Sequence, residues 1–333
     1  MRIIDMHCDT IHKLWEAEKQ GIDIGLDRND LMIDLEKMKK GGYLVQNFAL
    51  FIEQKPAESS FGIFEELLAV FRREMERNEE WISQVLNTED ILDNIGNGKM
   101  SALLTVEGGE ACEGSLEKLA FLYGQGVRMM TLTWNYPNEI GYPNVDEGRD
   151  FYTPDTTRGL TEVGIAFVEE MEKMGMIIDV SHLSDAGFYD VLKYTRKPFV
   201  ASHSNSRSVC PWVRNLTDEM IYRIGERGGV IGLNYCADFL REPSKGGEGY
   251  GMSADKRGIE DIVRHAKHIV DVGGIECLGL GSDFDGIPSY PGCPKAENME
   301  ELAAALVKAG FHESEVDRIL YGNVFCLYQE ILG

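Results

Sequence analysis

RIIDMHCDTIHKLWE, residues 2–16, sets a short β-branched run directly against His7, Cys8 and Asp9. On an extended chain residues i and i+2 face the same side. His7 and Asp9 can therefore aim at one point, as two ligands of a metal ion would, while Cys8 points away. An isolated His-x-Asp also suits a hydrogen-bonded histidine followed by an aspartate that caps a helix. What the other strands end in decides between the two.

Reading outward for apolar runs rich in β-branched residues gives 2–5, 44–51, 101–106, 127–133, 176–180, 198–202, 228–234 and 277–282. Most are continuously apolar rather than alternating, which suits parallel strands covered on both faces. Stretches with helical start and stop signals separate them. They are 29–42 from an Asn/Asp cap to Gly41, a long one at 59–86, then 115–126, 161–175, 184–198, 217–229 and 259–274. Two more, 298–310 and 314–332, close the chain. Strands alternating with helices in this number predict a (β/α)8 TIM barrel with extra C-terminal helices. The surplus length falls in long loops at 52–100, 134–158, 236–258 and 284–300. No linker or repeat divides residues 1–333, which are read as one domain.

In such barrels chemistry gathers at the carboxyl ends of the strands. There the sequence places His7 and Asp9, Glu107, Trp134 and Asn135, His182, His203 and Asp283. His, Asp, Glu, His, His is a nitrogen and carboxylate set without thiolate, suited to zinc, manganese, iron or cobalt. One ion would be left with no open position. Two ions about 3.5–4 Å apart, joined by a carboxylate, accommodate the set. Glu107 is then the bridge, His7 and Asp9 hold one ion, and His182 and His203 hold the other. Asp283 is placed as a general acid/base, or as hydrogen-bonded support for a ligand histidine. Asp285 could substitute, but its Asp-Gly context reads as a turn. His265 and His268, at i, i+3, are expected to face solvent on an outer helix. His12 and His312 are read as structural, and the glycines of 244–251 as loop rather than a phosphate cradle.

The formal charge of −23 argues against nucleic acid and against an anionic membrane surface. No signal peptide or membrane-spanning run is found. The seven cysteines are scattered and form no C-x-x-C, which reads as reduced thiols in a cytoplasmic protein.

The motifs IDMHCDT, LTVEGGE, DVSHLS, ASHSNSRSV, VRNLTDEMI and LGLGSDFDGI resemble the membrane (renal) dipeptidase family of the amidohydrolase superfamily. The likeness runs from the first strand to about Gly286, and more weakly to YGNVFCLYQ. It implies a TIM barrel, usually dimeric, with two zinc ions per chain on the ligands named above and Asp283 as the catalytic aspartate. It also implies that Arg214 contacts substrate, where a guanidinium suits a carboxylate. Where animal members carry a substrate-contacting histidine, this chain has Trp134, with Asn135 next to it as a substitute donor. The function implied is a zinc-dependent dipeptidase that cleaves the peptide bond through a metal-bridging hydroxide. Its substrate would be a small peptide with a free C-terminal carboxylate. Two alternatives stand beside it: a hydrolase of another amide, lactone or phosphoester, and a non-catalytic ligand-binding barrel.

Overall fold

The β-branched runs assemble into one parallel sheet in the computed structural model, which describes residues 1–53, 59–146, 148, 150–242 and 258–333. The strands are β1 (Ile3–Asp5), β2 (Tyr43–Phe51), β3 (Ile82–Val85), β4 (Met100–Glu107), β5 (Met129–Thr131), β6 (Ile177–Asp179), β7 (Ile231–Leu233) and β8 (Leu278–Leu280). Their order is β6-β5-β4-β2-β1-β8-β7, with β3 beside the first half of β4. The sheet is strongly curled: its outermost strands, β6 and β7, both reach the segment at Val200–Ala201. That segment makes single parallel bridges, Asp179 to Val200 and Ala201 to Ile231. The Val200 N–H donates to the Ile178 carbonyl at 2.9 Å, and the Gly232 N–H to the Ala201 carbonyl at 2.9 Å.

Side chains sort by parity along the strands. Ile3, Leu104, Met130, Ile178, Ala201 and Ile231 join the cluster made with the helices 10–19, 60–77, 162–174, 218–226 and 259–273. Their neighbours Ile4, Leu103, Met129, Ile177, Val200 and Val230 pack on the opposite face with Val324, Leu327, Tyr328 and Ile331 of the C-terminal helix. Two residues further along that second face the side chains turn polar: Asn47, Thr105, Thr131, Asp179 and Ser202, all buried. The C-terminal helix therefore plugs one end of the curled sheet with apolar contacts. A polar layer lies above the plug, at the carboxyl ends of the strands.

Three expectations need correction. The helix predicted over 59–86 ends at Arg77, and Ile82–Val85 is a strand. Nothing in RNEEWISQV stops a helix strongly, and the pairing partner of β3 is β4, a tertiary contact. The helix expected from residue 29 starts at Leu35, capped by the Asp34 side chain on the Lys37 N–H. The run 198–202 forms isolated bridges rather than a strand. The glycines of 244–251 all lie outside the described residues. Among the described residues no helix is long and apolar enough to cross a membrane.

Close backbone approach is built in at Gly232 and Gly281. A Cβ on either would stand 1.9 and 1.8 Å from the Ser202 carbonyl oxygen. Gly232→Ala must push the 200–203 segment off β7, and overpacking of this kind costs about 1–3 kcal/mol. A lowered midpoint in urea with an unchanged slope is the expected result. An unchanged midpoint would mean that the approach is not required.

Candidate metal centre

Each strand end named from the sequence delivers its side chain to one place. Glu107 is the last residue of β4 and is buried. Its Oε2 lies 3.4 Å from His7 Nε2. Its Oε1 lies 2.9 Å from His182 Nε2 and 3.3 Å from His203 Nε2. One carboxylate thus faces a histidine on one side and two on the other. Asp9 Oδ2 is 3.3 Å from His7 Nε2, and Asp283 Oδ1 is 3.8 Å from it. His7 and His203 stack with ring centroids 3.9 Å apart.

The backbone is bent to achieve this. His182 and Asp283 have φ of 69° and 63°, in the left-handed region, which costs on the order of 1–3 kcal/mol for a non-glycine residue. Gly286 leaves the room the carboxylates need. A Cβ there would meet Asp9 Oδ2 at 2.1 Å and Asp283 Oδ1 at 2.7 Å.

The His203 ring is oriented from below. Its Nδ1 is 2.7 Å from Ser202 Oγ, and that hydroxyl donates its own proton to Asp179 Oδ2 at 2.5 Å. Nδ1 therefore carries the ring proton and Nε2 offers a lone pair. Asp179 also accepts from Thr131 Oγ1 at 2.6 Å and from the Ser181 and Ser202 N–H groups. Asp5 holds the first strand end in a similar way, accepting from the Ser282 and His7 N–H groups.

Burial and mutual charge shift His7, Asp9, Glu107, His182, His203 and Asp283. Burial works to lower the His7 pKa, but the Glu107 and Asp9 carboxylates outweigh it and hold it well above its ordinary value. Burial would raise Glu107, yet the His7 charge, together with its close contacts to the His182 and His203 rings, keeps it well below its ordinary value. Burial pushes Asp283 up to about 7, with Asp9 and Glu107 adding to the rise against His7. Burial also raises Asp9. Burial, with Arg214 adding, lowers His182 to about 4; burial, with the His7 charge and then Arg214 adding, holds His203 well below its ordinary value.

The donor set fits a cation. The His7, Glu107 and His203 donor atoms lie within 4.8 Å of one another, as do those of His7, Asp9 and Asp283. Asp9 Oδ1 is buried without a hydrogen-bond partner. Nitrogen and carboxylate donors without sulfur suit a catalytic ion with an open position.

A cleft of about 380 Å³ opens over this centre. It reaches Asp9, Glu107, His182 and Asp283 and is walled by Phe51, Trp134, Phe239, Ile287 and Pro288. Trp134 thus lies on the cleft wall, edge-on to Phe51 at 5.0 Å. Asn135 meets His182, with Oδ1 2.8 Å from Nδ1. Arg214 is buried beside His182, which itself lines this cleft. Its guanidinium donates to Ser204 Oγ at 2.9 Å and to the His203 carbonyl at 3.1 Å.

Sequence reasoning missed several residues. Asn234 follows β7 and donates to Asp283 Oδ2 at 2.9 Å. It stands just past β7, where reading beyond each strand end would have found it. His12 is buried at the cleft edge beside Lys13 and Glu16. The expectation for His265 was wrong, because it is fully buried. Its Nδ1 accepts the Ser206 N–H and its Nε2 donates to the Leu240 carbonyl, two partners from distant segments that helical spacing does not reveal. His268 is partly exposed and pairs with Asp218. Asp285 accepts from Thr10 Oγ1 and the Met32 N–H, pinning loops together. Cys8 is buried against the Asn47 carbonyl, away from the centre.

Comparison with known proteins follows the same lines. A Schizosaccharomyces pombe protein described as an uncharacterized dipeptidase is 35% identical over 271 residues, which are 78% of this chain and 62% of that protein. The chain thus matches less than two thirds of that relative's length. A metallopeptidase of Rhodobacter sphaeroides, solved with a phosphinate mimic of the dipeptide L-Ala-D-Ala, superposes with a TM-score of 0.89. It is 27% identical, with 99% of each chain covered. Dipeptidase AC, a metallopeptidase of family M19, superposes with a TM-score of 0.90 at 29% identity, covering 100% of this chain and 99% of its own. The model of the membrane dipeptidase family matches residues 1–331. The chain belongs to the membrane dipeptidase family, peptidase family M19.

Proposed function

We propose that this chain is a dipeptidase dependent on two zinc ions, and that the bridged segment 198–202 completes a (β/α)8 barrel of amidohydrolase type. The observation that carries the activity is the two-sided use of Glu107. One oxygen faces His7 and the other faces His182 and His203, an arrangement suited to a carboxylate shared between two ions. In this reading His7 and Asp9 hold one ion, and His182 and His203 the other. When bound, the ions supply an activated water and polarise the scissile carbonyl. The dipeptide mimic in the Rhodobacter sphaeroides relative supports a dipeptide substrate.

The chain's own residues do the rest. Asp283 lines the cleft beside His7 with one oxygen held by Asn234. It is placed to take a proton from the attacking water and to return it to the leaving amine. Trp134 and Phe51 wall the cleft on one side, with Phe239 and Ile287 among its other lining residues. Apolar walls of this kind exclude water and select substrate side chains. Arg214 places positive charge next to His203, where a guanidinium can meet the substrate carboxylate or a developing oxyanion.

A turnover assay over a dipeptide panel, including D-configured C-terminal residues, tests this reading with and without chelator. Activity that survives complete metal removal would overturn it. Protein reconstituted with zinc should hold two ions per chain, and Glu107→Gln should lose both, by elemental analysis after gel filtration. Retention of two ions would remove Glu107 from the bridge.

Asp283→Asn should keep the zinc and lower kcat by about 10²–10⁴-fold, the usual contribution of a general acid–base group, with little change in KM. A fall in zinc content that accounts for the lost activity would make Asp283 a ligand instead. Arg214→Met should act mainly on KM for the free dipeptide and cost little for a dipeptide amide, which lacks the carboxylate. Equal penalties for both would place Arg214 at the scissile carbonyl.

A further inference from the structure

We propose that Asn135 is a positioning residue, fixing the His182 imidazole with its Nε2 lone pair turned to Glu107 and the metal centre. The proposal rests on the reading of His182 as a metal ligand. Asn135 Oδ1 stands 2.8 Å from His182 Nδ1. A carboxamide oxygen only accepts, so Nδ1 carries the ring proton. The neutral ring then presents a lone pair at Nε2, which lies 2.9 Å from Glu107 Oε1 and 3.1 Å from His203 Nε2. Ser202 does the same for His203 from the opposite side. The two imidazoles are thus locked in the same tautomer by different partners. Behind Ser202 stands the Asp179 carboxylate, whereas Asn135 is neutral.

The loop that carries Asn135 is held on both flanks. Tyr136 Oη bonds the Ile52 carbonyl and Glu110 Oε1, each at 2.7 Å. Asn138 Nδ2 donates to Glu110 Oε2 and to the Leu132 carbonyl, each at 2.9 Å. Asn138 Oδ1 accepts the Ile140 and Gly141 N–H groups. Glu110 is buried, so these bonds form within the protein rather than in competition with water. Trp134 packs edge-on to both Phe51 and Tyr136. Asn135 is therefore presented by a fixed loop, and Glu110 is the clamp of that loop. A partner of this kind matters at His182, because its left-handed backbone persists only where surrounding contacts hold it. This moves Asn135 from the substrate role expected for it to the support of a ligand.

The test is competitive titration of zinc against a chromogenic chelator, with full-length wild type, Asn135→Leu, Asn135→Asp and His182→Ala. Partners of ligand histidines typically contribute about 10–100-fold in metal affinity. Asn135→Leu should weaken one of the two ions by that factor and leave the other unchanged. Asn135→Asp, which keeps an accepting oxygen, should restore it. If His182→Ala binds both ions as wild type does, the ligand reading itself fails. If His182→Ala loses one ion while Asn135→Leu keeps both at wild-type affinity, the Asn135 assignment alone falls. A raised dipeptide KM in that case would return Asn135 to the substrate. Should Asn135→Leu not fold, ¹⁵N-histidine NMR of zinc-loaded wild type decides. A slowly exchanging Nδ1–H proton absent from His182→Ala is expected, and a rapidly exchanging one overturns the proposal.

Discussion

The arrangement turns on a single nitrogen. His7 Nε2 has Asp9 at 3.3 Å, Glu107 at 3.4 Å and Asp283 at 3.8 Å, and all three carboxylates are buried. Carboxylates packed this closely repel, and burial removes the water that would screen them. One protonated imidazole can offset one of them. The protein leaves His182 and His203 as poor proton acceptors and turns their lone pairs inward. Donors crowded in this way suit the positive charge of a bound metal ion.

The period of the β-strand makes such a cluster possible inside a protein. The same face of the sheet that packs Ile4, Leu103, Met129, Ile177 and Val200 against the C-terminal helix carries Thr105, Thr131, Asp179 and Ser202 two residues later. Glu107 comes after another step of two. The change from apolar to polar occurs within one side-chain repeat, so the carboxylate is presented from a backbone fixed by β-pairing on both sides. Glycine does what side chains cannot. Gly232 and Gly281 let neighbouring backbones reach Ser202, directly before His203, and Gly286 makes room for Asp9 and Asp283.

Much of this was legible in the sequence for the same reason. Continuous apolar runs mark strands buried on both faces, and a strand rigidly fixes the direction of the residue that ends it. That is why His7, Asp9, Glu107, His182, His203 and Asp283 could be named and why the structure brings them together. What could not be read depends on partners supplied from elsewhere in the chain. β3 exists through pairing with β4, while its residues alone read as the tail of an amphipathic helix. His265 is buried where the loop at Ser206 and the short helix ending at Leu240 meet it. Asn135 reads as a substrate group from its adjacency to Trp134, while its contact with His182, 47 residues away, is a tertiary one that adjacency does not reveal.

The strained residues follow from the same geometry. A strand end points a side chain along its own face, but a shared centre needs side chains from different strands to meet at one point. Glu107 manages this within its strand. His182 and Asp283 lie beyond theirs and turn through positive φ, a conformation that persists only where surrounding bonds over-determine it. For Asp283 the holding contact is Asn234 on one carboxylate oxygen, together with its own N–H donating to the His7 carbonyl at 3.2 Å. For His182 it is Asn135 on the ring and the Asn144 N–H on the carbonyl, at 3.0 Å. The backbone there gives up local stability so that three rings and three carboxylates from different strands can meet at one centre.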